Sequence, residues 1–361
     1  MLSRRTLIVS GLSAAAAGAV GYGLWPRLGG YEEEAARERR LLASDPALTG
    51  FVRMATLAAN GHNTQPWKFR LDEDRVRILP DFACRTKAVD PDDHHLFVSL
   101  GCAAENLAIA AAAHGRPGDV RISGGPEPHV EIVLGQGLAS NEALYAAIPE
   151  RQSTRSVYDS RPVSAEDLAL LKAAAEEDGV SVLLFTDPPD TDAILEFVVA
   201  GNSAQMDDPA FVAELLKWIR FSPAEALASK DGLFAACSGN PALPAWAGDL
   251  VFNAVFTKKA ENDKYRDHIR SSSGVAVFIG NKADFDHWMR VGRSFQRFAL
   301  QATALGIRNA HINQPVEVPA IRTEFARWLG LPDTRPDLVV RFGRAPALPM
   351  SLRRPVADVV L

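Results

Sequence analysis

Two stretches of the chain repeat one unusual pattern. Val98 to Gly115 reads VSLGCAAENLAIAAAAHG, and Met289 to Gly306 reads MRVGRSFQRFALQATALG. Each has Gly at its fourth position, Ala at its eleventh, fourteenth and sixteenth, and Gly at its end. Such a pattern predicts a helix with a small-residue stripe, closed by a glycine C-cap. Small residues let two helices approach closely. Each stretch is followed by an apolar strand ending in Gly, VEIVLG and LVVRFG. A chain built this way reads as a degenerate internal repeat.

Other segments fit around the repeat. Tyr31 to Arg40 is dense in Glu and Arg and reads as a solvated helix. Pro46 to Ala59 reads as a helix with Asp45 as N-cap and Pro46 at its first position. WKFRL and RVRIL flank Asp72-Glu73-Asp74 as a hairpin with alternating faces. Ser181 to Phe185 and Gly274 to Gly280 read as buried strands. Asp208 to Arg220 looks helical. Ala228 to Asp249, rich in Gly, Pro, Ala and Ser, reads as a lid.

With 361 residues, 47% of them hydrophobic, the chain has enough apolar content for one large domain or two small ones. Its net charge of −5 and lack of a basic, aromatic-interleaved patch give no reason to expect nucleic acid. Cys84, Cys102 and Cys237 are widely spaced and form no CxxC pair, which argues against structural zinc. They read as small core residues; a reactive role for Cys237 needs a depressed pKa.

The N-terminus, MLSRRTLIVSGLSAAAAGAVGYGLW, pairs Arg4 and Arg5 ahead of a weakly apolar run. This is the pattern of a twin-arginine export signal, with Ala17-Gly18-Ala19 as a cleavage site. Uncleaved, Leu7 to Trp25 is nearly long enough to span a bilayer. The expectation is an exported, periplasmic chain, soluble or tethered only at its start.

At Glu150 the chain reads ERQSTRSVYDSRPVSAEDL. Ser164 caps a helix, with Asp167 three residues on. On an extended segment Arg151, Ser153 and Arg155 fall on one side. Two guanidiniums and a hydroxyl there suit a phosphate; a charged edge strand is the plainer alternative. Asp90, Asp92, Asp93, His94 and His95 have metal-ligand chemistry but read as a helix cap and its dipole partners. His311 reads as a hydrogen-bonded structural residue rather than a proton donor. No Gly-rich dinucleotide fingerprint follows a strand.

RQSTRSVYDSRPVS and NGHNTQPWKF resemble the two signatures of the nitroreductase-like flavoproteins. GRSFQRFALQATALGIRNAHINQPVEVP is similar to their central helix and following loop, and SLRRPVADVVL to their basic tail. The resemblance covers most of the chain beyond residue 45. It implies an α+β fold and FMN. In typical members the Arg-x-Ser-x-Arg segment precedes the Gln-Pro-Trp loop; here the order is reversed and each signature occurs once. Family members are homodimers that bind each flavin between subunits. The resemblance therefore implies a fused dimer, monomeric as a chain, with one FMN between its halves. The layout resembles the dormancy-associated subgroup, proposed to hold FMN under a lid.

Under this resemblance residues 1–30 are a signal or anchor, 31–145 the first half and 146–361 the second, with a lid at 228–249. Arg151, Ser153 and Arg155 would hold phosphate and ribityl chain, and Gln152 would reach the ring edge or ribityl. His62, Asn63 and Gln65 would add polar contacts. Pro315, Val316 and Glu317 would bring a backbone N–H to flavin N5, and Arg353 or Arg354 would complete the phosphate site. The implied activity is an oxidoreductase passing electrons to a nitro, quinone or similar acceptor. The alternatives are a non-enzymatic flavin-sequestering protein and, with only the export signal in favour, a periplasmic binding protein for another ligand.

Overall fold

The computed structural model describes residues 28–44 and 46–361. The export signal and its cleavage site lie outside the described residues, as does the Asp45 cap. The fold is α+β, with two four-stranded antiparallel sheets packed by helices. The first contains β1 (Trp67–Asp72), β2 (Arg75–Pro80), β3 (Gly118–Ser123) and β4 (His129–Leu134), in the order β1-β2-β4-β3. A two-stranded parallel pair, β6 (Ile219–Arg220) and β7 (Leu233–Phe234), stands apart. The second large sheet contains β5 (Val180–Phe185), β8 (Gly274–Gly280), β9 (Arg308–His311) and β10 (Leu338–Gly343), in the order β5-β8-β10-β9.

Both sheets have one topology. Two strands pair, a 20-residue helix follows, and two more strands return with the last beside the second. The helices are His94–Ala113 and Phe285–Ala304, and they pack on one another. A Cβ on Gly101 would overlap the Met289 carbonyl; one on Gly292 would overlap the Val98 carbonyl. The contact is reciprocal, as across a two-fold axis. Gly115 and Gly306, with φ of +70° and +68°, follow the two helices in the left-handed conformation that glycine tolerates without a Cβ clash.

By length and mean hydropathy (1.7), His94–Ala113 could also cross a bilayer. It is instead wrapped by protein, with Leu100, Ala103, Ala104 and Leu107 fully buried. The central core draws on both halves: Phe51, Trp67, Ile78 and Ile132 meet Phe278, Phe295, Phe298 and Val340. The first sheet buries one face, hence its alternating sequence. Strands β8 and β10 are buried throughout, because Val275, Val277 and Ile279 enter a second cluster on the opposite face. That is why they read as continuous apolar runs.

Three sequence expectations are corrected. The first helix is Gly29–Glu38, and it is not simply solvated: Tyr31 and Ala35 are buried, and Arg39 follows on the same stripe. The second begins at Leu48 with Ala47 as N-cap. The 228–249 stretch is not one open loop: it holds β7 and a 3-10 turn, and runs into the helix Ala245–Val255. The C-terminal tail lies against the first sheet, where Val360 bridges Phe69 and Leu361 N–H donates to Phe69 O at 2.8 Å.

Candidate functional site

A cavity of about 370 Å³ lies where the halves meet. The first half contributes His62, His95 and Ser99, and the second Arg155, His311 and Glu317. Phe211, Phe221, Leu233, Leu243 and Phe252 form an apolar wall.

The loop ahead of β1 is held in strained geometry. His62, Asn63 and Gln65 all have positive φ, 48°, 54° and 54°. Left-handed backbone at non-glycine residues costs on the order of 1–3 kcal/mol each and persists only where surroundings impose it. Here Asn60 Oδ1 accepts from Gln65 N–H at 2.9 Å, and Thr64 N–H donates to Gly61 O at 3.0 Å. Trp67, fully buried, anchors the far end. Of the three expected contacts, only His62 lines the cavity. Asn63 Nδ2 donates to Gly232 O and Leu352 O, at 3.0 and 3.2 Å. Gln65 Nε2 donates to Lys230 O at 2.9 Å, and its Oε1 accepts from Arg354 N–H at 2.8 Å. These two amides tie the loop to the 230–232 segment and the C-terminal tail.

Arg151, Ser153 and Arg155 lie on a segment that joins β9. Ser153 forms a parallel bridge to Asn309, and Thr154 N–H donates to Asn309 O at 2.9 Å. Arg341, stacked 3.9 Å over the Tyr158 ring, donates to Thr154 O and Ser156 O. Arg155 lines the cavity; Arg151 does not, but lies close enough for the two charges to interact, while Gln152 and Thr154 bond one another at 3.0 Å. Gln152 clamps the tail through Leu348 N–H and O, at 2.7 and 2.9 Å, rather than facing the cavity.

Arg151 is almost fully buried, yet only Nη2 has a partner, Leu57 O at 3.2 Å; Nε and Nη1 have none. Burial, with Arg39 and Arg155 nearby, pushes its pKa down to about 10. Arg155 faces the cavity, and no carboxylate ranks among the charges acting on it. Arg353, pushed down to about 9 by burial and by Arg39 and Arg151, adds a further cation. It donates to Thr56 O at 2.6 Å and Asn63 Oδ1 at 2.8 Å, so its first role is to hold the loop. Arg354 pairs instead with Asp81 at 3.5 Å. Arg151 repels both Arg155 and Arg353 and keeps two free donors, a setting that suits an anion.

Pro315 and Val316 are buried beside Glu317 in a short helix, Gln314–Glu317. The amides of Val316 and Glu317 already donate to Asn313 O, at 2.9 and 3.0 Å, which removes them as free donors to a ligand. Glu317 lines the cavity, and its Oε2 accepts from Gln205 at 2.6 Å; burial raises its pKa. Burial, and the charge of Arg155, push His62 down to about 4 and His311 to about 3, so both are neutral at pH 7.

The acidic and histidine residues near 90–95 are partnered. Asp90 accepts from His95 and Leu96 N–H at 3.1 and 3.0 Å. Asp92 pairs with Arg335, Asp93 with Arg85, and His94 Nε2 with Asp337 at 2.8 Å. Ligand atoms of Asp90, His94 and His95 do lie within 4.8 Å of one another. Cys237 is buried against Tyr31 Oη at 3.2 Å, and its pKa is raised, opposite to a reactive thiol. Sequence reasoning missed Arg39 and the apolar wall. The Tyr31, Ala35, Arg39 spacing of four was the available signal for Arg39.

No family model matches the chain. Among curated proteins it is similar to Rv3131 of Mycobacterium tuberculosis H37Rv, described as a candidate NAD(P)H nitroreductase. The two are 26% identical over 326 residues, 86% of this chain and 89% of that protein. Acg of the same organism, described likewise, is 22% identical over 339 residues, 85% and 93% of the two chains. Among solved structures, the FMN-dependent nitroreductase NfnB of Mycobacterium smegmatis with NADPH aligns with TM-score 0.39 and 16% identity, over 60% of this chain and 92% of that one. An FMN-bound nitroreductase of Bacteroides fragilis aligns with TM-score 0.35 and 18% identity, over 57% and 90%. Along most of its length the chain is thus similar to proteins described as nitroreductases.

Proposed function

We propose that this protein is an FMN-binding, nitroreductase-like oxidoreductase that holds one FMN per chain between its two halves. The observation that carries the proposal is Arg155 at a cavity lined by both halves, with the buried and partly unpartnered Arg151 close enough for the two charges to interact. The residues fit the cofactor. Unpartnered, buried guanidinium donors match a phosphate monoester dianion, and Ser153 sits between them in sequence. Arg151 and Arg155 would hold the phosphate, with Arg353 adding charge from behind the loop. The matched strand orders and reciprocal helix contact support a fused dimer as the origin of the shared site.

Bound FMN supplies hydride and electron transfer to a nitro, quinone or similar acceptor. The chain's residues bind, orient and exclude water. Neutral His62 and His311 line the cavity without adding cationic charge. Phe211, Phe221, Leu243, Phe252 and Phe256 give it an apolar side. That same wall favours a second reading, a flavin holder in which the 228–249 segment is a closed lid. Two apolar residues of that segment do not cover the cavity: Trp246 is 84% exposed, and Phe234 packs on Tyr31. Leu233 and Leu243 do line the cavity.

The test is an absorbance spectrum of the purified chain, flavin release on denaturation, and anaerobic titration with NADPH. One FMN per chain is expected; two would sink the shared site, and none after reconstitution would sink the flavin reading. Rapid bleaching by NADPH selects the oxidoreductase. Bleaching by dithionite alone selects the holder. The Arg4-Arg5 pair supports export by the twin-arginine route, tested by cell fractionation: Arg4→Lys with Arg5→Lys should leave the protein in the cytoplasm.

A further inference from the structure

The helix Ala245–Val255, AWAGDLVFNAV, is apolar on nearly all sides: its polar residues are Asp249 and Asn253. A helix of this composition belongs in a setting that covers every face. Among the described side chains, those of its inner face are covered. Val251 and Phe252 line the cavity, and Gly248 lies against the Phe221 ring. The outer face carries Trp246 and Leu250, one helical turn apart, 84% and 76% exposed. Val255, 60% exposed, ends the helix at the cavity.

We propose that this outer face docks on a lipid bilayer, the one into which the chain's N-terminal apolar run inserts. The placement of the N-terminus argues for that occupant. The 27 residues preceding the described chain include the apolar run Leu7 to Trp25. The first described residue, Leu28, packs in a cluster with Tyr31, Ala236 and Ala242. Ala242 is three residues before the helix, a chain distance of at most ~11 Å. A tether leaving at Leu28 therefore holds the helix beside the membrane surface. The helix is ~16 Å long, suited to lying flat there. Trp, with an apolar ring and one N–H, is enriched at that depth.

The experiment uses the full chain in phosphatidylethanolamine–phosphatidylglycerol vesicles, with and without bromine on the acyl chains. Subtracting the emission of Trp246→Phe isolates Trp246 from the chain's other tryptophans. Brominated lipid is expected to quench that difference signal by at least half, and Leu250→Glu to reduce the quenching at least twofold. Circular dichroism and flavin content report folding and the flavin reading separately. Equal difference signals in brominated and plain vesicles would overturn the docking. So would protection of Trp246 from acrylamide without bromine quenching, which would assign the face to a second copy or to residues 1–27. The Trp246→Phe subtraction alone decides the matter should Leu250→Glu misfold.

Discussion

Replacing Arg151 with Met should stabilise the protein without FMN and weaken its hold on FMN. The folded-state pKa, lowered from 12.5 to about 10, means that burial beside Arg39 and Arg155 disfavours the cation by about 3 kcal/mol, at ~1.4 kcal/mol per pKa unit. Removing the charge recovers that amount. It also strips Leu57 O of its 3.2 Å donor, a loss of about 1–2 kcal/mol. The net expectation is a flavin-free variant more stable by roughly 1–2 kcal/mol. With FMN the sign reverses. The free Nε and Nη1 would each donate a charged hydrogen bond worth ~1.5–3 kcal/mol, together two to four decades of affinity. The assay is denaturant unfolding of both proteins with and without FMN, alongside a flavin-fluorescence titration. A variant that is less stable without FMN, and binds it within about threefold of wild type, would refute the anion-cradle reasoning.

Gly292→Ala should destabilise the fold by at least ~2 kcal/mol, since its Cβ would overlap the Val98 carbonyl at a backbone-to-backbone crossing; urea unfolding measures this. His311 should make the wild type acid-sensitive. Its folded pKa of about 3 lies below the unfolded 6.5, so the unfolded chain binds the extra proton and stability falls as pH drops from about 6.5 toward 3. His311→Gln should reduce that slope by about 1.4 kcal/mol per pH unit, and an unchanged slope would place the ring in solvent. Asn63→Ala should release the 230–232 segment by removing the bonds to Gly232 and Leu352, seen as faster proteolysis at Lys230 with circular dichroism unchanged.

Much of the fold was legible because its signals are local. The two long helices carry their own glycine stops, Gly115 and Gly306, and their stripes of small residues. The β1–β2 hairpin alternates because one face meets the core, and β8 and β10 are uniformly apolar because both faces do. Ser164 caps its helix as its spacing with Asp167 requires, at 3.1 Å. The edge strands β3 and β9 carried no such signal: Gly118–Ser123 is half polar, and Arg308–His311 is only four residues long.

The site divides along the same line. Sequence by itself determined that Arg151 and Arg155 lie on one side of an extended segment, because that follows from backbone period alone. It could not determine which polar residues of Asn60 to Trp67 face a ligand. Three left-handed residues turn His62 into the cavity and send Asn63 and Gln65 to the tail, and that geometry is imposed by partners up to 290 residues away. Only the tertiary structure could leave Arg151 with two free donors, since a guanidinium lacks partners only once every neighbour has been placed.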